Sequence, residues 1–254
     1  FMKARFVYES LNEDYKGYKN LKKLADDIIK IAESLPNPKE FTAESIKTIE
    51  ELIDVNNYPD LKNFIQAGIG LVRDDTDTPS FYGSNSFSKN MEDPEELKRY
   101  QEKYGVGIIF INSDSHLLTL TLHELQHAYD YWISNGKIDE NPKKKYNSAK
   151  LKNQQFGYFQ RDRSSYDEWN KYFRNPTEIN AYFTEAMANT DFFDNQGNLR
   201  NIKDAYQEFA SEHAGIDWKL LTPKILKKLQ RRFASYYYKL KEDIEKENSE
   251  KNNK

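Results

Sequence analysis

Two histidines, His123 and His127, stand four residues apart in the run His123-Glu124-Leu125-Gln126-His127. On a helix that spacing puts both imidazoles on one face, and both can reach a single ion at about 2.0 Å. Glu124 is turned one residue away from His123. It does not easily join the same coordination shell, but it can face water held by the ion. A carboxylate so placed acts as general base toward that water and then carries the proton to a leaving amine. Zinc suits nitrogen and oxygen donors, and hydrolytic zinc needs a third protein ligand plus an open fourth position. Leu120, Leu122 and Leu125 give the segment the apolar helical setting that the motif requires.

The third ligand must come from farther along the chain. There is no cysteine and only four histidines, the other two being His116 and His213. Thiolate-bound zinc, iron–sulfur clusters, disulfides and thiol nucleophiles are therefore excluded, and no third histidine follows the pair within a short span. A carboxylate is needed, and the segment Asn175-Pro176-Thr177-Glu178-Ile179-Asn180-Ala181-Tyr182-Phe183-Thr184-Glu185-Ala186 offers two. Glu178 and Glu185 are seven apart and share a helix face with Ala181 and Tyr182. Ala181 is small enough to let a second helix approach. Glu178 is the preferred ligand because it stands in the first turn, where a helix favours a carboxylate. Glu185 is the alternative, and whichever is not a ligand is expected to support the site or form an ion pair. Asp130 also falls on the metal-facing side, where bracing the site is the expected role ahead of direct ligation. Tyr182, one turn beyond Glu178, is the first choice of donor to the oxyanion of a transition state. Tyr166, Tyr172 and His213 rank behind it. His116 is expected near the helix cap or the surface.

Several elements must position these groups. Residues 105–112 read as a buried strand, followed by a helix from Leu117 through Ile133 and a second over residues 176–191, with Asn175 as N-cap and Pro176 in the first turn. Upstream, residues 5–10 suggest a short strand. Leu21, Leu24, Ile28, Ile31 and Leu35 repeat at helical spacing until Pro36 and Pro38. Thr42 is a candidate cap for a helix carrying Ile46, Ile49, Leu52 and Ile53. Residues 68–90 read as loops around at most one strand, Ile69 to Val72, and the Asp-rich run at 74–77 lacks calcium-loop spacing. Residues 134–175 read as a charged excursion over the surface, with a cover for the cleft as the alternative. Residues 203–213 and 223–248 read as helices, the latter running into a polar tail. Tyr129, Tyr131, Trp132 and Trp169 are expected to pack around the site. The fold class is α+β and predominantly helical, with an N-terminal helical region (1–67), a core (68–215), and a C-terminal long helix with its tail (216–254).

The composition narrows the function. Hydrophobic residues make up only 37%, but aromatics reach 14%, so a folded core of modest aliphatic content is expected. A net charge of −3 provides no field to hold nucleic acid. No stretch approaches the ~20 apolar residues that span a bilayer, and there is no hydrophobic run of signal-peptide type. Phe1 ahead of Met2 reads as the start of a processed or excerpted chain. The expectation is cytoplasmic synthesis, a protein or peptide substrate and no membrane partner, with non-classical export or virion packaging as alternatives.

His-Glu-Leu-Gln-His-Ala-Tyr-Asp followed by Asn-Pro-Thr-Glu-Ile-Asn-Ala-Tyr-Phe resembles the zincin metallopeptidases whose third ligand is a glutamate. It is most similar to the compact gluzincin-like group of bacterial, phage and viral proteins and, distantly, to the anthrax lethal factor catalytic domain. The resemblance covers about residues 105–190. It implies a zinc peptidase, read here as an endopeptidase, with Zn2+ on His123, His127 and Glu178, Glu124 as base and Ala181 as the small packing residue. It also implies a small mixed sheet over the active-site helix, with residues 106–111 as the edge strand that receives the substrate backbone. The auxiliary Asn-Glu and Ser-Asp pattern of the thermolysin type is absent. Two other functions fit the same residues: a non-catalytic zincin-fold protein of a phage or toxin assembly, and a hydrolase of cell-wall peptides or other amides.

Overall fold

The computed structural model describes residues 2–37, 45–75, 79–84, 93–112, 118–134, 176–211 and 221–252. The expectations for Thr42, Asp77, His116, Tyr166, Trp169, Tyr172, Asn175, His213 and the excursion after residue 134 lie outside these. The chain divides into two compact units: residues 20–181, and residues 1–19 with 182–254.

The first helix, α1 (Met2–Ala32), overturns the strand expected at residues 5–10. That short window looks extended only in isolation. Val7, Leu11, Tyr18, Leu21, Ala25, Ile28 and Ala32 recur at three, four or seven, so the helical stripe continues back through it. Leu24, Ala25, Ile28 and Ala32 are completely buried. The helix expected from Thr42 is also shortened. Lys47–Thr48 form a strand, β1, and only Ile49–Leu52 form the helical turn α2. Thr48 caps α2: its hydroxyl accepts from the Glu51 amide at 3.3 Å, and its own amide donates to the Glu51 carboxylate at 3.0 Å. Asp54 then draws the Asn56 amide into a 3-10 turn, Val55–Asn57, which ends the run.

The short helix α3 (Lys62–Ile65) leads into β2 (Ile69–Arg73) through Gly68, whose φ is 85°. A side chain at Gly68 would start only 2.4 Å from the Lys103 carbonyl oxygen. After β2 come β3 (Ser80–Gly83), α4 (Pro94–Lys103) and β4 (Gly107–Ile111). The sheet order is β1-β2-β4-β3. β2 and β4 run parallel, and the outer pairs are antiparallel, so the sheet is mixed and small, in a predominantly helical α+β fold. The segment expected as an edge, residues 106–111, is instead interior, and β3 occupies the edge beside it. Gly-Ile-Ile-Phe-Ile is nearly continuous in apolar character because the strand is covered on both faces.

Alternation assigns the two faces. Val72 and Ile108 join Ile46, Tyr100 and Tyr104 in one cluster, with Leu97 and Phe110 against it. Leu71, Ile109 and Ile111 point to the other face, where helix α5 (Leu118–Ser134) packs on β3 and β4. Tyr131 of α5 meets the Phe81 ring edge-on at 5.7 Å and lies where a Cβ at Gly83 would sit only 2.6 Å away. Gly83 is thus required for the helix to come this close. The Ser84 hydroxyl is 2.9 Å from the Gly105 carbonyl oxygen, to which it donates, and 3.1 Å from the Tyr131 hydroxyl, fixing strand and helix together.

Helix α6 (Pro176–Asn189) follows, with Glu178 in its first turn. In the unit holding residues 182–254, α7 (Ile202–Phe209) is capped by Asn201, and α8 (Pro223–Asn252) is the long final helix. Phe209 and Phe233 lie 4.8 Å apart between ring centres, with Phe192 and Tyr206 around them.

Candidate metal centre

Helix α5 is buried on two unlike sides. Leu122, Leu125 and Ala128 are completely buried, as a helix stripe against a sheet requires. His123, Gln126 and Asp130 are buried too, at spacings of three, four and seven residues, and form a polar stripe. Helix α6 supplies the partners of this second stripe through Glu178 and Asn180. Ala181, with no exposed surface, presents no bulk on that helix.

His123, His127 and Glu178 converge as expected. The two Nε2 atoms are 3.1 Å apart. One carboxylate oxygen of Glu178, Oε2, lies 3.5 Å from His127 Nε2 and 3.8 Å from His123 Nε2. Donors around a tetrahedral zinc with bonds of about 2.0–2.1 Å stand roughly 3.4 Å from one another. The three observed separations bracket that value, so two imidazoles and a carboxylate form a donor set capable of holding a divalent ion. Among the described residues no other three His, Cys, Asp or Glu side chains gather in this way. Glu185 is buried two turns farther along α6 but is not part of the group.

The electrostatics describe a site built for positive charge. Burial works against a charged His127, but the hydrogen bond and charge of Glu178, with the charges of Glu124 and Asp130, outweigh it. The pKa of His127 is pushed up to about 9. Glu124 is shifted up as well: burial is the main cause, opposed by His127 and His123, and the nearby Glu178 adds to the rise. A hydrogen bond from the Phe81 backbone holds the Glu124 carboxylate in the opposite direction. Pairing of Phe81 with Ile109, flanked by the Ser84-to-Val106 hydrogen bond, leaves the Phe81 amide on the outer side of β3. The outer edge of β3 therefore reaches the glutamate beside the candidate ligands.

Asp130 is completely buried, and each of its oxygens accepts one amide. Gln126 Nε2 donates to Oδ1 at 2.9 Å and Asn180 Nδ2 to Oδ2 at 3.1 Å. Tyr182 is half-buried on α6, one turn beyond Glu178. Of the expected aromatics, Tyr131 and Trp132 are buried, and Tyr129 and Trp132 both pack against Phe64.

Sequence reading missed two contributors. Asn180 lies inside the glutamate motif, and its spacing of two from Glu178 gives no helical-face signal toward the same partner. The strand β3 was hidden in a loop-like stretch, although the aromatic pair Phe81-Tyr82 between Pro79 and Gly83 is a strand signal. Compared with known proteins, the chain matches no protein-family model, no curated protein and no solved structure.

Proposed function

We propose that this chain is a zinc-dependent peptidase of gluzincin-like type, acting as an endopeptidase on a protein or peptide substrate. The observation that carries this reading is the meeting of one Glu178 oxygen with two imidazole nitrogens at 3.5 and 3.8 Å, with Glu124 beside them. His123, His127 and Glu178 would hold the zinc. When bound, zinc supplies Lewis acidity toward a carbonyl oxygen and makes water a nucleophile near neutral pH.

Glu124 takes the proton from the attacking water and delivers it to the departing amine nitrogen. Its raised pKa suits a group that must both accept and release a proton. The Phe81 backbone hydrogen bond orients its carboxylate. Tyr182 is the proposed donor to the oxyanion, being a hydroxyl one turn from the third ligand. A scaffold that only held zinc would have no use for a carboxylate at position 124, which favours catalysis over a purely structural role.

Zinc content and cleavage of a mixed peptide library test this reading together. The expected result is one zinc per chain, with cleavage reduced by about 1,000-fold or more in Glu124→Gln while zinc is retained. Zinc-loaded protein that cleaves nothing, unchanged by that substitution, sinks it.

A further inference from the structure

We infer that Asp130 is the positioning residue that sets the approach of helices α5 and α6 and so holds Glu178 within reach of both imidazoles. The inference rests on reading His123, His127 and Glu178 as a zinc site. Asp130 is tied to the residues next to these three ligands. It acts through the amides beside them: Gln126 precedes His127 on its own helix, and Asn180 lies two residues after Glu178 on the other.

The geometry argues for a clamp. A completely buried carboxylate is costly unless its oxygens are satisfied. Here Asn180 on α6 donates across to Oδ2 and fixes the registry of the two helices, while Gln126, on the same helix as Asp130, satisfies Oδ1 and holds the carboxylate in orientation. A slip of one residue moves a helix by about 1.5 Å along its axis. Such a slip pulls Asn180 away from the carboxylate oxygen it now reaches at 3.1 Å, and leaves the Gln126 bond within α5 untouched. The same slip would carry Glu178 away from the histidines. An apolar side chain at position 130 would fill the space at lower desolvation cost, but it would specify no registry.

The test is zinc affinity of the full chain, measured by competition with a chromophoric chelator, with folding followed by circular dichroism. Asp130→Ala and Asn180→Ala are expected to keep the parent spectrum and to bind zinc at least about 10-fold more weakly. The double variant should be little worse than Asp130→Ala alone, because both changes break the same bridge. Asp130→Asn should recover most of the affinity, since the Asn180 amide can turn its carbonyl toward the new NH2 group. Cobalt in place of zinc should show an altered ligand-field spectrum in the two alanine variants, which a purely structural residue would leave unchanged.

Folded alanine variants with affinity within about twofold of the parent overturn the inference. If Asp130→Ala does not fold, Asn180→Ala decides alone. A parent that takes up no zinc overturns both this inference and the proposed function. A parent that binds zinc but cleaves nothing overturns only the peptidase reading, and the zinc affinities still judge Asp130.

Discussion

Two buried regions of this molecule are filled in opposite ways. Around α7 and α8 the interior is aromatic: Phe192, Phe209 and Tyr206 each lie within 5.9 Å of the Phe233 ring. On the facing stripes of α5 and α6 the interior is polar, with His123, Gln126, Asp130 and Asn180 all buried. The aromatic region is favoured by transfer from water, at about 25 cal/mol per Å² of apolar surface. The polar region must be matched group by group, and each unmatched charge costs stability. A chain that accepts that cost along one stripe, while filling its other interior with phenyl rings, marks the stripe as a place where geometry matters more than stability.

The largest expected effect breaks the aromatic side alone. Phe233 is buried against three rings, so Phe233→Ala leaves a cavity and should cost about 3–5 kcal/mol. Denaturant unfolding of the metal-free protein measures this directly. The folded fraction should still take up one zinc, because none of the three ligands lies in that cluster. Loss of zinc uptake by folded Phe233→Ala would show that the two regions do not behave as separate structural problems.

The polar side should respond to pH instead. In the metal-free protein His127 titrates near 9 against an ordinary value of 6.5. The folded state therefore holds a proton that the unfolded chain gives up. The resulting stabilisation is complete below about pH 6.5 and is lost as pH rises through 9, a change on the order of 3 kcal/mol. Glu124, also shifted up, acts with the same sign at lower pH. Urea midpoints from pH 6 to 10 would show the decline. Glu178→Gln removes the hydrogen bond and the charge that raise His127, so its profile should flatten, and its zinc affinity should fall by roughly 100-fold or more. A parent profile that stays level across this range would remove the electrostatic half of the contrast.

The two regions also differ in how far the sequence announces them. The histidine pair, Glu124 and the first-turn position of Glu178 are legible because ligand chemistry imposes a spacing on one helix at a time. The burial of β4 is legible from Val106 to Ile111, since a continuous apolar run needs cover on both faces. What is not legible depends on partners far apart in the chain. The resemblance implies an edge position for residues 106–111, and only the pairing of β3, itself four residues long, makes β4 interior. The helix expected after Thr42 gives way because Lys47 and Thr48 pair with Leu71 and Gly70, a tertiary contact that overrides local periodicity. Asn180 is hidden for the same reason: nothing near it in sequence reveals that Asp130 lies opposite.

The smallest expected effect sharpens the comparison by placing a polar group where shape is not at stake. Thr48 caps α2 at the β1 edge of the sheet, whereas α5 packs on β3 and β4. Thr48→Ala removes a hydroxyl that serves one helix turn, and water can reach the freed Glu51 amide, so the expected cost is about 1 kcal/mol. Chemical denaturation measures that cost, and chelator competition should find the zinc affinity unchanged. Asp130 offers no such substitute, because no exposed surface remains from which water could replace a lost partner. The pair thus separates two explanations of metal affinity. If Thr48→Ala weakens zinc binding as much as Asp130→Ala does, affinity follows the overall stability of the sheet-bearing unit. If only Asp130→Ala weakens it, affinity follows the registry of the two helices that carry the ligands.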